Sequence, residues 1–165
     1  MEPTDIFKKR DFSKVNFDYE EMIGRNLSNS NLKGVVLKNR DIHNADLSGS
    51  DLTGADLSDT ILFNVKLRGA DLQNVNLTNA KLWDADLYGV DLTNANISGA
   101  DLFYADLRNA DLRNVNLSGV NLRHTNFDGA TFKSIDFTNA NYDLDTLNTI
   151  SKDIKLILEM QGNRW

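Results

Sequence analysis

The chain has 165 residues, enough for one domain with its own core, and it has no cysteine, which excludes disulfides and cysteine-ligated zinc. Its formal net charge is −6, and residues 41–111 hold twelve acids against four bases, which argues against direct binding to nucleic acid because such surfaces are normally basic. No apolar run approaches the roughly 20 residues that span a bilayer, and none follows the first lysines as in a secretory signal, so we expect a cytoplasmic protein that binds no membrane.

The N-terminal segment, residues 1–24, carries large apolar residues at five-residue intervals: Phe7, Phe12, Phe17 and Met22. Further along the chain, the residue two positions before each central apolar side chain is usually small. In this segment that residue is larger or charged, as at Arg10 and Glu20. We therefore predict that residues 1–24 form a degenerate first coil or an N-terminal cap.

Residues 25–144 divide into twenty-four blocks of five without an insertion. The middle residue of each block is Leu in eighteen of them, and the exceptions are Ile42, Ile97, Phe127, Phe132, Phe137 and Tyr142. The first residue is usually small, the second is Asp or Asn, and the last two are mostly Ser, Thr, Asn, Gly or Arg. Such a strictly spaced series of leucines can bury a core, which argues against disorder.

A period of five fits neither an α-helix nor an ordinary strand, whose side chains repeat every 3.6 and 2 residues. It indicates a backbone that turns a corner in every block and points one large and one small apolar residue inward. Asn and Gly near the block ends suit the positive φ angles that tight turns require.

In blocks such as ADLSG, ADLSD, ADLYG and ADLRN the chain resembles the pentapeptide-repeat family, whose pattern is A(D/N)LXX. The resemblance implies an all-β solenoid, namely a right-handed quadrilateral parallel β-helix with four blocks in each coil. Residues 25–144 would then form about six coils, roughly 30 Å long at one strand spacing per coil.

Arg40 occupies an inward position that is otherwise small or apolar in most blocks. It follows Glu20 by twenty residues, one coil later on the same side, so one hypothesis is an ion pair between the two. The alternative is a local bulge that turns Arg40 outward.

After Leu144 the apolar spacing becomes helical: Leu147, Ile150, Ile154, Ile157 and Leu158. We predict that residues 145–165 form a C-terminal helix that starts at an N-cap, Asp145 or Thr146, and stops near Gly162. This helix would cap the exposed end of the solenoid. Leu156 and Met160 fall off its main stripe, and capping alone does not explain Trp165. These residues leave open whether the helix also pairs two copies into a homodimer.

The sequence offers little material for catalysis. The two histidines, His43 and His124, are eighty-one residues apart, about 19 Å along the axis, so they cannot share a metal. No Ser–His pairing and no glycine-rich phosphate loop is present. We therefore expect no enzyme activity, no cofactor and no metal site.

Positions twenty residues apart should lie above one another on one side of the solenoid. One such set is the acidic column, Asp51, Asp71, Asp91 and Asp111. One interpretation is that these carboxylates bind turn amides of their own blocks. The other is an anionic surface that imitates the field of DNA.

A second set, the outward residues after the central position, is His43, Phe63, Trp83, Phe103 and Arg123, flanked by Ile61 and Tyr104. We predict an exposed aromatic ladder of Phe63, Trp83 and Phe103, which either stabilises the solenoid or forms an interface together with Ile61 and Tyr104.

The leading interpretation is a non-catalytic structural scaffold that binds an unidentified protein partner through an aromatic strip and an acidic side. The alternative, from the resemblance, is a DNA-mimicking protein that binds DNA gyrase, a type II topoisomerase, and is related to quinolone resistance. Several members of that group carry projecting loops, which residues 25–144 lack. The regular repeats are more similar to those of bacterial, often cyanobacterial, members whose function is uncharacterised.

Overall fold

The computed structural model describes residues 11–14 and 22–160, with the side chains of residues 159 and 160 excepted. The named elements are two short parallel strands and two helices: β1 (Asp111–Arg113), β2 (Thr131–Lys133), α1 (Leu144–Thr149) and α2 (Lys152–Met160). Elsewhere, neighbouring coils meet through single parallel bridges. No helix among the described residues is long and apolar enough to cross a membrane.

Each block of five contains a tight turn that changes the direction of the chain. The N–H of Ala55, for example, donates to the carbonyl of Leu52 at 2.9 Å. The third residue of this turn, Gly54, has a φ of +67°, and Asn94 at the equivalent place has +62°. A positive φ at the third residue is typical of type II turns, which explains why Gly, Asn and Asp recur at the block ends.

Consecutive coils pair at an offset of twenty residues, so each coil consists of four blocks and has four sides. Parallel bridges join Asp51 to Asp71 and Asp71 to Asp91. The N–H of Leu52 donates to the carbonyl of Asp71 at 2.8 Å, and the N–H of Asp71 donates to the carbonyl of Ser50 at 2.9 Å. This register brings side chains from successive coils into vertical columns.

The core runs along the axis and is built from the central residues of the blocks. Leu52, Leu72 and Leu92 are each at most 1% exposed. At three inward positions that hold Ser or Thr, the hydroxyl donates to a carbonyl of the preceding coil: Ser50 to Leu27 at 2.9 Å, Thr60 to Leu37 at 3.0 Å, and Thr125 to Leu102 at 2.8 Å. These three buried hydroxyls are thereby hydrogen-bonded, as burial requires.

The five-residue register reaches the N-terminal segment. Phe12 and Met22 are both 2% exposed, and the N–H of Phe12 donates to the carbonyl of Asn31 at 2.7 Å. Phe7, Phe17 and Glu20 lie outside the described residues, and so does the predicted Glu20–Arg40 pair.

The backbone at Arg40 makes the same hydrogen bonds as in the other coils. Its N–H donates to Leu37 at 3.0 Å, and its carbonyl accepts from Ile61 at 2.8 Å. The predicted alternative of a bulge is therefore wrong, and the Arg40 side chain is partly buried in the regular register.

The C-terminal segment contains two helices where one was predicted. The N-cap of α1 is Asp143, whose carboxylate accepts a hydrogen bond from the N–H of Thr146, so the predicted caps Asp145 and Thr146 were wrong by two or three residues. Helix α1 ends because Ile150 is extended, with φ −91° and ψ 141°. Gly162 and Trp165 lie outside the described residues.

The helices contribute apolar side chains to the core of the solenoid. Leu147, Ile150, Ile154 and Leu158 are at most 6% exposed and belong to one cluster with the coil leucines, and Ile157 packs against that cluster. The break at Ile150 places residues of both helices over the last coil. Leu156 lies on the other face of α2 and is 58% exposed.

Candidate protein-binding surface

One side of the solenoid, which we call the aromatic side, consists of the stacked segments 41–44, 61–64, 81–84, 101–104, 121–124 and 141–144. The turn residue after each central side chain projects outward from it. The rings of His43 and Phe63 stack with centroids 4.4 Å apart and an interplanar angle of 14°. Phe63 and Trp83 stack at 4.7 Å and 19°. Adjacent coils are about as far apart as two stacked rings. Aromatic side chains twenty residues apart are therefore positioned to stack.

Phe103 does not continue this stack, so the predicted ladder of Phe63, Trp83 and Phe103 is wrong at its last member. Its ring meets Tyr104 edge-on at 4.5 Å and lies 5.5 Å from His124. Tyr104 stacks on His124 at 4.6 Å and 12°. The residue above Phe103 in its own column is Arg123, whereas rings are available in the adjacent column, so Phe103 belongs to a second aromatic cluster.

The exposed apolar surface is concentrated on the aromatic side. Among the described residues, six large hydrophobic side chains are more than a third exposed, and four of them lie on this side: Ile61 at 37%, Trp83 at 42%, Tyr104 at 55% and Leu144 at 72%. Phe63 and Phe103 are partly buried. The predicted interface residues therefore share one side, on which Ile61, Trp83 and Tyr104 are more exposed than Phe63 and Phe103.

The acidic column lies on the opposite side of the solenoid, two blocks further along each coil, and has the predicted register. Parallel bridges join Asp51, Asp71, Asp91 and Asp111 in series. Each carboxylate accepts a hydrogen bond from the N–H two residues later, at 2.9 to 3.1 Å. These bonds support the interpretation in which the aspartates stabilise their own turns.

Several members of the acidic column are also bound by side chains. The hydroxyl of Thr53 donates to Asp51 at 2.5 Å and holds the pKa of Asp51 below its ordinary value. The guanidinium of Arg113 does the same for Asp111, at 2.6 Å. Gln73 donates to Asp91 at 2.9 Å. The charge of the column is therefore partly neutralised at its Asp111 end.

A third column, which the sequence reasoning missed, carries two arginines and a tyrosine. The guanidinium of Arg68 lies 4.0 Å from the ring centroid of Tyr88, and that of Arg108 lies 5.6 Å away. Arg68 also lies 4.0 Å from the carboxylate of Asp86. Residues 68, 88 and 108 are twenty apart, so the same counting that found the aromatic side would have found this column.

His124, Asp143 and Asp145 also come together, with ligand atoms within 4.8 Å of one another. The Nδ1 atom of His124 is 2.9 Å from Asp145 and 3.3 Å from Asp143. Such donors could hold a metal ion, but the Asp143 carboxylate already accepts hydrogen bonds from Thr146 and from the backbone of His124. The cluster is thus explained by the attachment of α1 to the last coil.

The repeats match the family model for pentapeptide repeats, in eight copies that extend over residues 22–103 and 105–141. The chain belongs to the pentapeptide repeat family. Its fold is accordingly a pentapeptide repeat β-helix, to which this protein adds two C-terminal helices.

Several solved structures are similar to this pentapeptide repeat protein. A cyanobacterial pentapeptide repeat protein, Rfr23 from Cyanothece 51142, is 30% identical with a TM-score of 0.56, over 73% of this chain and 90% of its own. A pentapeptide repeat protein from the Arabidopsis thaliana thylakoid lumen is 29% identical with a TM-score of 0.43, over 76% and 75%. QnrB1, a plasmid-mediated fluoroquinolone resistance protein, is 19% identical with a TM-score of 0.47, over 80% and 92%. No curated protein matches the chain.

Proposed function

We propose that this pentapeptide repeat protein is a non-catalytic scaffold that binds a protein partner through its aromatic side. The observation that carries the proposal is that, within the described part of the chain, four of the six exposed large hydrophobic residues lie on one of the four sides. Contiguous exposed apolar surface marks interfaces in soluble proteins, and aromatic residues are enriched in their centres.

The surroundings of the two histidines support a non-catalytic role. His43 is bound to the carboxylate of Asp41 at 2.7 Å, and His124 is bound to that of Asp145 at 2.9 Å. Among the described residues, neither imidazole is hydrogen-bonded to a hydroxyl that it could activate as a nucleophile. The two rings belong to aromatic stacks, which fit a structural role better than proton transfer.

The proposal is tested by selecting a random peptide display library on the wild-type protein. We expect selected peptides to lose about 30-fold in affinity on Trp83→Ala, because a central aromatic residue commonly contributes about 2 kcal/mol to a protein interface. Tyr88→Ala is the matched control, since Tyr88 occupies the same block position on another side, and it should leave affinity unchanged. Circular dichroism and thermal melts establish that both variants fold. Peptides that bind Trp83→Ala as well as the wild type would reject the aromatic side as the interface.

A second candidate function is binding to DNA gyrase as a mimic of DNA, and it rests on the acidic column. Asp51, Asp71, Asp91 and Asp111 follow one another in adjacent coils, and all four side chains are partly exposed. The test is a titration of gyrase supercoiling with the wild-type protein and with the Asp71→Lys, Asp91→Lys double variant. Inhibition that is lost in the variant would favour this candidate, and absence of inhibition by the wild type at high concentration would eliminate it.

Pairing of two copies through α2 is a further proposal. The support for it is Leu156, an apolar side chain on the face of α2 that is turned away from the core. Sedimentation velocity of the wild type and of Leu156→Lys tests it at several concentrations. Dimers that dissociate in the variant would support pairing through α2, whereas a wild-type monomer at high concentration would exclude it.

A further inference from the structure

The acids of the aromatic side differ in whether they have partners within the chain. Asp41 is bound by His43, and Asp101 accepts from the N–H of Phe103 at 3.2 Å and from Asn121 at 2.9 Å. Asp143 is the N-cap of α1. The carboxylate of Asp84 forms no ion pair and accepts no hydrogen bond from any residue that the structure describes, and its side chain is exposed.

The fold has no evident need for a charge at Asp84. Its φ is +61°, and Asn takes similar values at ten equivalent turn positions of the described chain, among them Asn44 and Asn64 in the same column. The other acidic residue at such a turn position is Asp59, whose carboxylate accepts a hydrogen bond from the side chain of Asn79 at 3.1 Å. Asp84 therefore places an unbound negative charge next to an exposed indole without a structural reason.

The neighbours of Asp84 form a combination suited to a cationic, planar group. Trp83 precedes it in the chain, and Tyr104 follows it by twenty residues, one coil later in the same column; both are exposed. The nearest base on this side, Lys81, forms no ion pair within the described part of the chain and does not neutralise Asp84. A cation over an aromatic ring is stabilised by the ring quadrupole, and a carboxylate beside the ring adds an ion pair.

The chain itself contains this recognition geometry on another side. There the guanidinium of Arg68 lies 4.0 Å from the Tyr88 ring and 4.0 Å from the carboxylate of Asp86, which belongs to the next coil. The aromatic side offers a ring and a carboxylate but no arginine of its own at that place. Residues 41–111 also carry a net charge of −8, twelve acids minus four bases, which favours the approach of a basic partner.

We propose that the aromatic side binds an arginine-bearing segment of a partner protein, with a guanidinium that lies on Trp83 and pairs with Asp84. This inference rests on the proposed function, because it names the chemistry of the partner for the same surface. Arginine is favoured over lysine because its planar group can stack on a ring and pair with a carboxylate at the same time.

The experiment continues with peptides selected on the wild-type protein that lose binding to Trp83→Ala. We expect arginine to be enriched in these peptides, and replacement of that arginine by lysine to weaken binding about 5-fold. We expect Asp84→Asn to weaken binding by about the same factor, while the fold is retained because Asn suits a positive φ. Asp59→Asn, the same change on another side, is the control and should have no effect.

The outcomes separate the inference from the proposed function. Peptides that depend on Trp83 but lack arginine, or that bind Asp84→Asn as tightly as the wild type, would overturn the inference and leave the proposed function standing. Absence of any Trp83-dependent peptide would overturn both. A loss of binding on Asp71→Asn in place of Asp84→Asn would move the basic segment to the acidic column and overturn the inference as well.

Discussion

The carboxylate of Asp143 accepts a hydrogen bond from the backbone N–H of His124 at 3.2 Å. In the preceding coil the equivalent N–H, that of Tyr104, donates to the backbone carbonyl of Arg123. The last coil has no following coil to supply such a carbonyl, and a side chain takes its place. Thr149 does the same for Phe127, whose N–H donates to the Thr149 hydroxyl at 3.0 Å. Helix α1 therefore terminates the solenoid by satisfying its exposed backbone donors as well as by covering its core.

Replacement of Asp143 should destabilise the attachment of α1. In Asp143→Ala the N–H groups of His124 and Thr146 lose their acceptor, and we expect a loss of about 1 to 2 kcal/mol in the free energy of unfolding. In Asp143→Asn an amide oxygen remains as acceptor, so the loss at neutral pH should be smaller. Urea unfolding measures both. Equal stability of the alanine variant and the wild type would show that α1 is held by its apolar contacts alone.

The contribution of Asp143 should also depend on pH. Burial by itself raises the pKa of its carboxyl, but hydrogen bonds from the N–H groups of Thr146 and His124 outweigh that effect and leave the pKa below its ordinary value. A carboxyl whose pKa is lower in the folded state stabilises the fold above its unfolded pKa, near 3.9, and this stabilisation is lost as the pH falls through the folded pKa.

The measurement is the difference in unfolding free energy between the wild type and Asp143→Asn as a function of pH. This difference should be constant above about pH 5 and should shrink below about pH 4. Because the other acids are common to both proteins, their titration cancels. A difference that stays constant down to pH 3 would contradict the role of the ionised carboxylate.

Neutralisation of one member of the acidic column should leave the fold at least as stable. Asp71 lies between Asp51 and Asp91 in adjacent coils, and its Oδ1 accepts from the N–H of Gln73 at 3.0 Å. Asp71→Asn keeps that acceptor oxygen and removes the repulsion between Asp71 and the carboxylates of Asp51 and Asp91. We therefore expect the free energy of unfolding to rise by about 0.5 kcal/mol in low salt, and this gain to fade in high salt. Asp71→Ala removes the acceptor and should cost about 1 kcal/mol. Thermal melts at two salt concentrations decide this, and equal losses in both variants would show that the negative charge itself is stabilising.

Two glycines at equivalent turn positions should respond differently to alanine. Gly54 and Gly99 both have a φ of +67°, which costs an alanine about 1 kcal/mol. A Cβ at Gly54 would meet nothing within 4 Å, whereas one at Gly99 would lie 2.5 Å from Oδ1 of Asn79. Asn79 would have to move and weaken its bond to Asp59. We therefore expect Gly99→Ala to lower the unfolding free energy by about 1 kcal/mol more than Gly54→Ala, and equal losses in chemical denaturation would mean that Asn79 moves freely.

The core of the solenoid could be predicted from the sequence because the residue pattern within each block of five determines which of its side chains point inward and are buried. Leu52 and Leu72 are buried for the same local reason, a large residue at the inward place of a turn that repeats every five residues. The same regularity assigned Phe63 and Trp83 to one column, since an offset of twenty residues needs only the number of blocks per coil. The number of four blocks per coil came from the family resemblance, and the parallel bridges between residues twenty apart confirm it.

The structure departs from the predictions where a side chain can pack against more than one neighbour. Counting by twenty placed Phe103 above Trp83, but its ring turns to Tyr104 and His124, because packing of rings depends on the adjacent column as well as on the coil below. Helical spacing identified Leu147 and Ile154, yet the position of the break at Ile150 depends on how the helices fit the last coil. The repeat by itself thus determined the backbone path, the core and the columns, since these follow from local turns. Only the tertiary structure decided which rings meet, which residue caps α1 and that Asp84 has no partner among the described residues, because these depend on contacts between separate coils.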